Sequence, residues 1–200
     1  AKAIYIALRK DYGMRFRSTK QLYLKFLNNT HIMDLIQYPD IGGYHPDPAK
    51  SKWATGSIFE NEGQRLYDLV IKHKPLLVVE VGAFQGCSTT WIASALRANG
   101  IGKIITIDIN SGAWSKVPKE LYEDILFWNE DALTCNVPPN IDILFEDGAH
   151  TTGFTKSILQ RFKAKIVVCH DYEHWDCIKT VKGEFREVLG EPDEVFYEPP

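Results

Sequence analysis

Two hundred residues amount to about one domain, and 44% apolar with 24% charged residues are ordinary globular values. A net charge of −3 argues against a protein that binds nucleic acid by bulk electrostatics, and the loose basic cluster Arg9, Lys10, Arg15, Arg17 and Lys20 reads as a solvated face. Four cysteines (Cys87, Cys135, Cys169, Cys177) without a C-x-x-C pair point to a reducing compartment. With no signal-peptide core and no apolar stretch of roughly 20 residues, a cytoplasmic protein free of the membrane is expected.

In chain order, residues 1–57 come first, as a helical or lid segment. Tyr23, Leu24 and Leu27 suggest one short helix, and Ile32, Leu35 and Ile36 a second. Residues 38–57 are rich in Pro, Gly and Asp, as in a lid or in a wrap that only covers the core. Residues 58–200 form the main domain. Glu62 to Lys74, with Leu66, Leu69 and Val70 inward, predicts a helix. The apolar run Leu76 to Val81 predicts a strand buried on both faces, followed by a helix from Thr89 to Asn99. Further strands are expected at Ile104–Ile107, Leu126–Trp128, Ile141–Phe145 and Ile166–Cys169. Ile158, Leu159 and Phe162 mark a helix before the fifth strand. Ile178, Val181, Phe185, Val188 and Leu189 mark another after it. This alternation predicts an α/β, Rossmann-like, doubly wound and mostly parallel sheet flanked by helices. Ligands of such sheets bind beyond the carboxyl ends of the strands.

The first strand ends in Glu80-x-Gly82-x-x-x-Gly86, with an acid where a dinucleotide loop carries its first glycine. A carboxylate there repels a pyrophosphate and suits a sulfonium or ammonium cation. Asp108 ends the second strand, placed to accept hydrogen bonds from ribose hydroxyls. Glu130-Asp131-Ala132 follows the third strand, where an acceptor for an adenine edge belongs.

Residues 79–89, Val-Glu-Val-Gly-Ala-Phe-Gln-Gly-Cys-Ser-Thr, resemble the first motif of class I S-adenosylmethionine (SAM)-dependent methyltransferases. More narrowly, with Asp147-Gly148-Ala149-His150 after strand four and His170-Asp171-Tyr172 after strand five, the chain resembles the macrocin-type O-methyltransferase and cephalosporin-hydroxylase-like subgroup over about residues 57–190. The resemblance implies SAM contacts by Glu80, Gly82, Ala83, Phe84, Gly86, Ser88, Thr89, Asp108, Ile109, Asp131, Ala132 and Asp147. It also implies a divalent metal, Mg²⁺ or Mn²⁺, on Asp147, His170 and Asp171, with His150 as general base. A hard cation would hold the acceptor's oxygens and lower a hydroxyl's pKa, and the imidazole would then take the proton.

Two departures from the subgroup stand out. The pair after strand five is His170-Asp171 where the subgroup has two acids, and imidazole is a poor Mg²⁺ ligand. At the C-terminus only Glu194 to Tyr197 reads as a strand, so the sheet edge is expected to be shortened, completed by another segment, or cut. His174 and Trp175 are candidates to line the acceptor pocket. The resemblance implies O-methylation of a small hydroxylated metabolite. The alternatives are a nucleic-acid methyltransferase, a hydroxylase-like protein, or a non-catalytic member of the fold. Asn136-Val137-Pro138-Pro139 precedes strand four and lacks an aromatic, so it reads as a turn and not as an amino-methylating motif. Homo-oligomerisation is left open.

Overall fold

The computed structural model describes residues 38–170 and the backbone of 186–187 and 194–198. The chain divides into two compact units, residues 1–39 and 40–200, and every element described lies in the second. Residues 40–57 therefore belong with the sheet. The N-terminal helices, the metal candidate Asp171, the pocket candidates His174 and Trp175, and Cys177 lie outside the described residues.

The sheet has seven strands: β1 (Leu77–Val81), β2 (Lys103–Ile107), β3 (Ile125–Trp128), β4 (Ile141–Glu146), β5 (Ala164–His170), β6 (Arg186–Glu187) and β7 (Glu194–Glu198). Their order is β3-β2-β1-β4-β5-β7-β6. The first five strands are parallel, and β7 runs antiparallel to β5 with Val168 opposite Phe196. Strands β7 and β6 thus lie beyond β5 at that edge of the sheet, with β6 described over two residues. The helical spacing expected to run through Val188 is interrupted there, because residues 186–187 pair with β7.

Three α-helices are described: α1 (Glu60–His73), α2 (Cys87–Asn99) and α3 (Thr152–Arg161). Helix α1 places Glu60 and Glu62 in its first turn and Lys72 and His73 in its last, matching the helix dipole. Helix α2 stops at Gly100, whose N–H donates back to the Leu96 and Arg97 carbonyls. Strand alternation sorts the sheet faces. Val79, Val81, Ile105, Ile107 and Leu144 join Ile158, Leu159 and Phe162 of α3 in one buried cluster. Glu80 and Thr106 are adjacent cross-strand partners of the opposite set, toward α2.

Helices α1 and α2 meet closely. A Cβ on Gly63 would lie 2.1 Å from Nε1 of Trp91, and that indole is fully buried and donates to the Gly42 carbonyl at 3.0 Å. Gly63→Ala should gain about 1 kcal/mol of helix propensity. It should lose about 1–3 kcal/mol to overpacking, and more if the indole loses its acceptor. We therefore expect net destabilisation, read as a lower urea midpoint at unchanged m. A midpoint at or above the parent's would show that the two helices can separate without cost.

Candidate functional site

The ends of β1, β2, the β3–β4 connection and β4 open onto one cleft of about 530 Å³. Val81, Gly82, Phe84, Asp108, Ile109 and Ala132 line one part of it, and Asp147, His150 and Phe154 another. Thr55 and Gly56 close its rim from the 40–57 segment. That segment is tied to the loops at the strand ends: the Ala54 N–H donates to Gln85 Oε1 at 3.2 Å, and Lys116 Nζ to the Lys52 carbonyl at 2.9 Å. Four acids line the cleft, Asp108, Glu130, Asp131 and Asp147, and no Lys or Arg does among the described residues. Phe84 and Ile109 add apolar surface that is 46% and 77% exposed. An acidic, partly apolar cleft fits a cationic nucleoside and opposes a polyphosphate.

The turn after β1 is assembled from the sequence in small steps. Gly82 has φ +86, and its Cβ would lie 2.1 Å from the Asp147 carbonyl oxygen, so only glycine lets the ends of β1 and β4 close together. The Ala83 and Phe84 amides both donate to Asp108 Oδ2 at 3.0 Å. In a dinucleotide loop such amides face the pyrophosphate; here a side chain of the protein occupies them. Asp108 Oδ1 accepts from the Asn110 amide at 2.8 Å and, like the rest of the residue, borders the cleft.

Glu80 does not face this cleft, contrary to the expectation from its sequence position. Its carboxylate is fully buried and accepts hydrogen bonds from Ser88 Oγ (2.5 Å), Thr89 Oγ1 (2.5 Å) and Thr106 Oγ1 (2.6 Å). Thr106 in turn accepts from Trp114 Nε1 at 2.9 Å. Ser88 and Thr89, expected to touch the cofactor, are buried against Glu80 instead. The reason is strand alternation, which turns residue 80 to the α2 side, where the first turn of that helix supplies the hydroxyls. Ala83 is buried, and Gly86, at φ +90, caps α2 against Val117; neither lines the cleft. Asp131 does line it, while its Oδ1 accepts from the Leu133 amide at 2.8 Å.

His150 sits at the cleft with a left-handed backbone, φ +48, and its Nε2 lies 3.6 Å from Asp147 Oδ1. The turn carrying both is braced from below by Glu146. That acid is 2% exposed, and it accepts from the Gly148 amide and Thr155 Oγ1, each at 3.1 Å. Burial pushes the Glu146 carboxyl above its ordinary range. Glu146 escaped the sequence reading although it stands near the carboxyl end of an apolar strand as Glu80 does, and that repetition was the available signal. Thr55, Gly56 and Asn110 carry no motif.

The divalent cation implied by the resemblance finds a poor fit in the described donors. His170 presents Nδ1 3.1 Å from Asp147 Oδ1 and Nε2 3.4 Å from Glu62 Oε2, so both ring nitrogens face carboxylates at hydrogen-bonding distance. Mg²⁺ requires oxygen ligands in an octahedron. Among the described residues no group of three or more His, Cys, Asp or Glu side chains is arranged to hold a metal ion.

Known proteins resemble both the sequence and the fold. Residues 79–172 match the family described as a methyltransferase domain. No curated protein matches the sequence significantly. The SAH-bound methyltransferase PaMTH1 of Podospora anserina superposes with a TM-score of 0.61 at 14% identity, over 94% of this chain and 98% of that one. A methyltransferase from Geobacter sulfurreducens gives 0.57 at 17% identity, over 71% and 80%. The O-methyltransferase NovP gives 0.55 at 15% identity, over 70% and 78%. These likenesses carry the fold. No helix among the described residues is long and apolar enough to cross a membrane.

Burial raises the Glu80 carboxyl from 4.5 to about 7, against the opposing pull of its three hydroxyl donors. A raised folded-state pKa gives stability that is complete below the unfolded value and is lost as pH climbs through the folded one. At 1.36 kcal/mol per unit, the loss between about pH 4.5 and 7 reaches about 3 kcal/mol. Glu80→Gln should remove this slope, so the parent's unfolding free energy should fall relative to the variant's as pH rises across that window. Parallel curves for the two proteins would contradict the buried, protonatable Glu80.

Proposed function

We propose that this chain, whose residues 79–172 match a methyltransferase-domain family and whose fold resembles SAH-bound PaMTH1, is a SAM-dependent methyltransferase that methylates a hydroxyl oxygen of a small hydroxylated metabolite, with His150 as general base. The observation that carries this reading is the cleft itself: four acids and no Lys or Arg among its described lining residues, beside a histidine at the mouth. Asp108 and Asp131 are the residues proposed to bind the nucleoside, with Gly82 and Phe84 against its apolar faces and Ile109 and Ala132 flanking the base.

When bound, SAM supplies an electrophilic methyl group and leaves as S-adenosylhomocysteine (SAH). The protein's part is to orient the acceptor and remove its proton. The acceptor hydroxyl is placed toward the His150 ring, whose unprotonated nitrogen takes the proton as oxygen bonds to the methyl carbon and the carbon–sulfur bond breaks. The products are a methyl ether and neutral SAH, with the proton on the imidazole. Asp147 Oδ1, 3.6 Å from Nε2, favours the imidazolium once formed. No step is routed through a metal, given the donor arrangement around His170. Support for an oxygen acceptor comes from the resembled subgroup and from neighbours such as NovP, itself an O-methyltransferase.

Incubation with methyl-labelled SAM and a panel of catechols, sugars and hydroxylated polyketides should transfer label to at least one acceptor. His150→Ala should then lower kcat by about 100-fold or more, with SAH affinity nearly unchanged. Loss of SAH binding together with turnover would instead make His150 a structural residue. SAH binding without transfer to any acceptor would favour a binding module.

A further inference from the structure

Glu62 is hard to explain as a helix cap alone. It stands in the first turn of α1, where its Oε2 accepts from the Phe59 amide at 2.6 Å. Such a cap contributes about 1 kcal/mol and is usually open to water. The Glu62 side chain is only 6% exposed, and burying a carboxylate costs several kcal/mol unless it is otherwise compensated. The compensation available is His170, at the end of β5, with Nε2 3.4 Å from Glu62 Oε2. The other nitrogen of His170 lies 3.1 Å from Asp147 Oδ1. The same Asp147 oxygen lies 3.6 Å from His150 Nε2. Acid, imidazole, acid and imidazole therefore alternate from the interior beside α1 to the mouth of the cleft, with side-chain exposure rising from 6% at Glu62 through 11% at His170 and 14% at Asp147 to 29% at His150.

His150 also holds φ +48, a conformation that costs a non-glycine residue about 1 kcal/mol or more and persists only where its surroundings over-determine it. The brace at Glu146 fixes the backbone of that turn, and the chain ending at Glu62 fixes the side chains.

We propose that Glu62 and His170 are positioning residues that hold the Asp147 carboxylate and thereby aim the His150 ring into the cleft. The proposal rests on His150 as base only for its effect on turnover, since the physical link between the rings can be read without catalysis.

The decisive variant is Glu62→Gln in the full chain, because glutamine keeps an oxygen for the Phe59 amide while losing the charge that faces His170. With histidine ring nitrogens labelled, the His150 ring signals should shift or broaden in the variant, while those of His73, at the opposite end of α1 from Glu62, stay in place. SAH affinity should hold within about twofold, and kcat toward the acceptor found above should fall roughly tenfold at unchanged KM for SAM. His170→Asn retains a donor toward Asp147 but cannot span to Glu62, and should move the same His150 signals. This second variant decides the matter if the first does not fold. Unmoved His150 signals in a folded variant overturn the proposal, even where His150→Ala abolishes turnover. Conversely, moved signals in a protein whose His150→Ala variant still turns over would retain the link and remove the base.

Discussion

Two carboxylates at the top of adjacent strands hold the cleft in shape, and they do so in opposite surroundings. Glu80 lies wholly inside, under three hydroxyls that join β1, β2 and the first turn of α2. Asp108 lies at the surface of the cleft and takes the two loop amides of Ala83 and Phe84. The buried acid fixes where α2 begins relative to the sheet. The cleft acid fixes the loop between them and leaves it without those amides for an anion. Burying that carboxyl carries a stability cost at neutral pH, which the three hydroxyl donors offset in part.

Much of this was legible in the sequence. Continuous apolar runs at 76–81, 104–107 and 141–145 locate buried parallel strands because both faces are covered, and the glycine spacing after β1 marks the sheet's ligand-binding end. The acids after β2, β3 and β4 do converge on one cleft. Less legible was the direction of a side chain. Glu80 is in the motif as read, yet a one-residue alternation sends it to the α2 side, and the argument for a cationic ligand passes to Asp108, Glu130, Asp131 and Asp147. Glu62 and His170 were out of reach as partners, since 108 positions separate them and only the fold brings α1 beside the end of β5. The antiparallel β7 was visible as a short β-rich run, but its place beside β5 depends on sheet pairing.

The rim of the cleft follows from the same economy of contacts. Residues 40–57 carry little secondary structure of their own and are held by donors and acceptors within the segment and in the sheet's loops. The Trp53 indole donates to the Ile41 carbonyl, the Ala54 amide to Gln85, and Lys116 to the Lys52 carbonyl. Because Gln85 and Lys116 sit in loops that follow β1 and β2, the rim at Thr55 and Gly56 is anchored to the loops at the strand ends that open onto the cleft.

Calorimetric titration of the full chain with SAH and, separately, with NAD⁺ bears most directly on the acidic cleft and its amide-filling Asp108. The account predicts saturable binding of the sulfur nucleoside and none of the pyrophosphate-bearing dinucleotide. Equal binding of both, or of the dinucleotide alone, would contradict it.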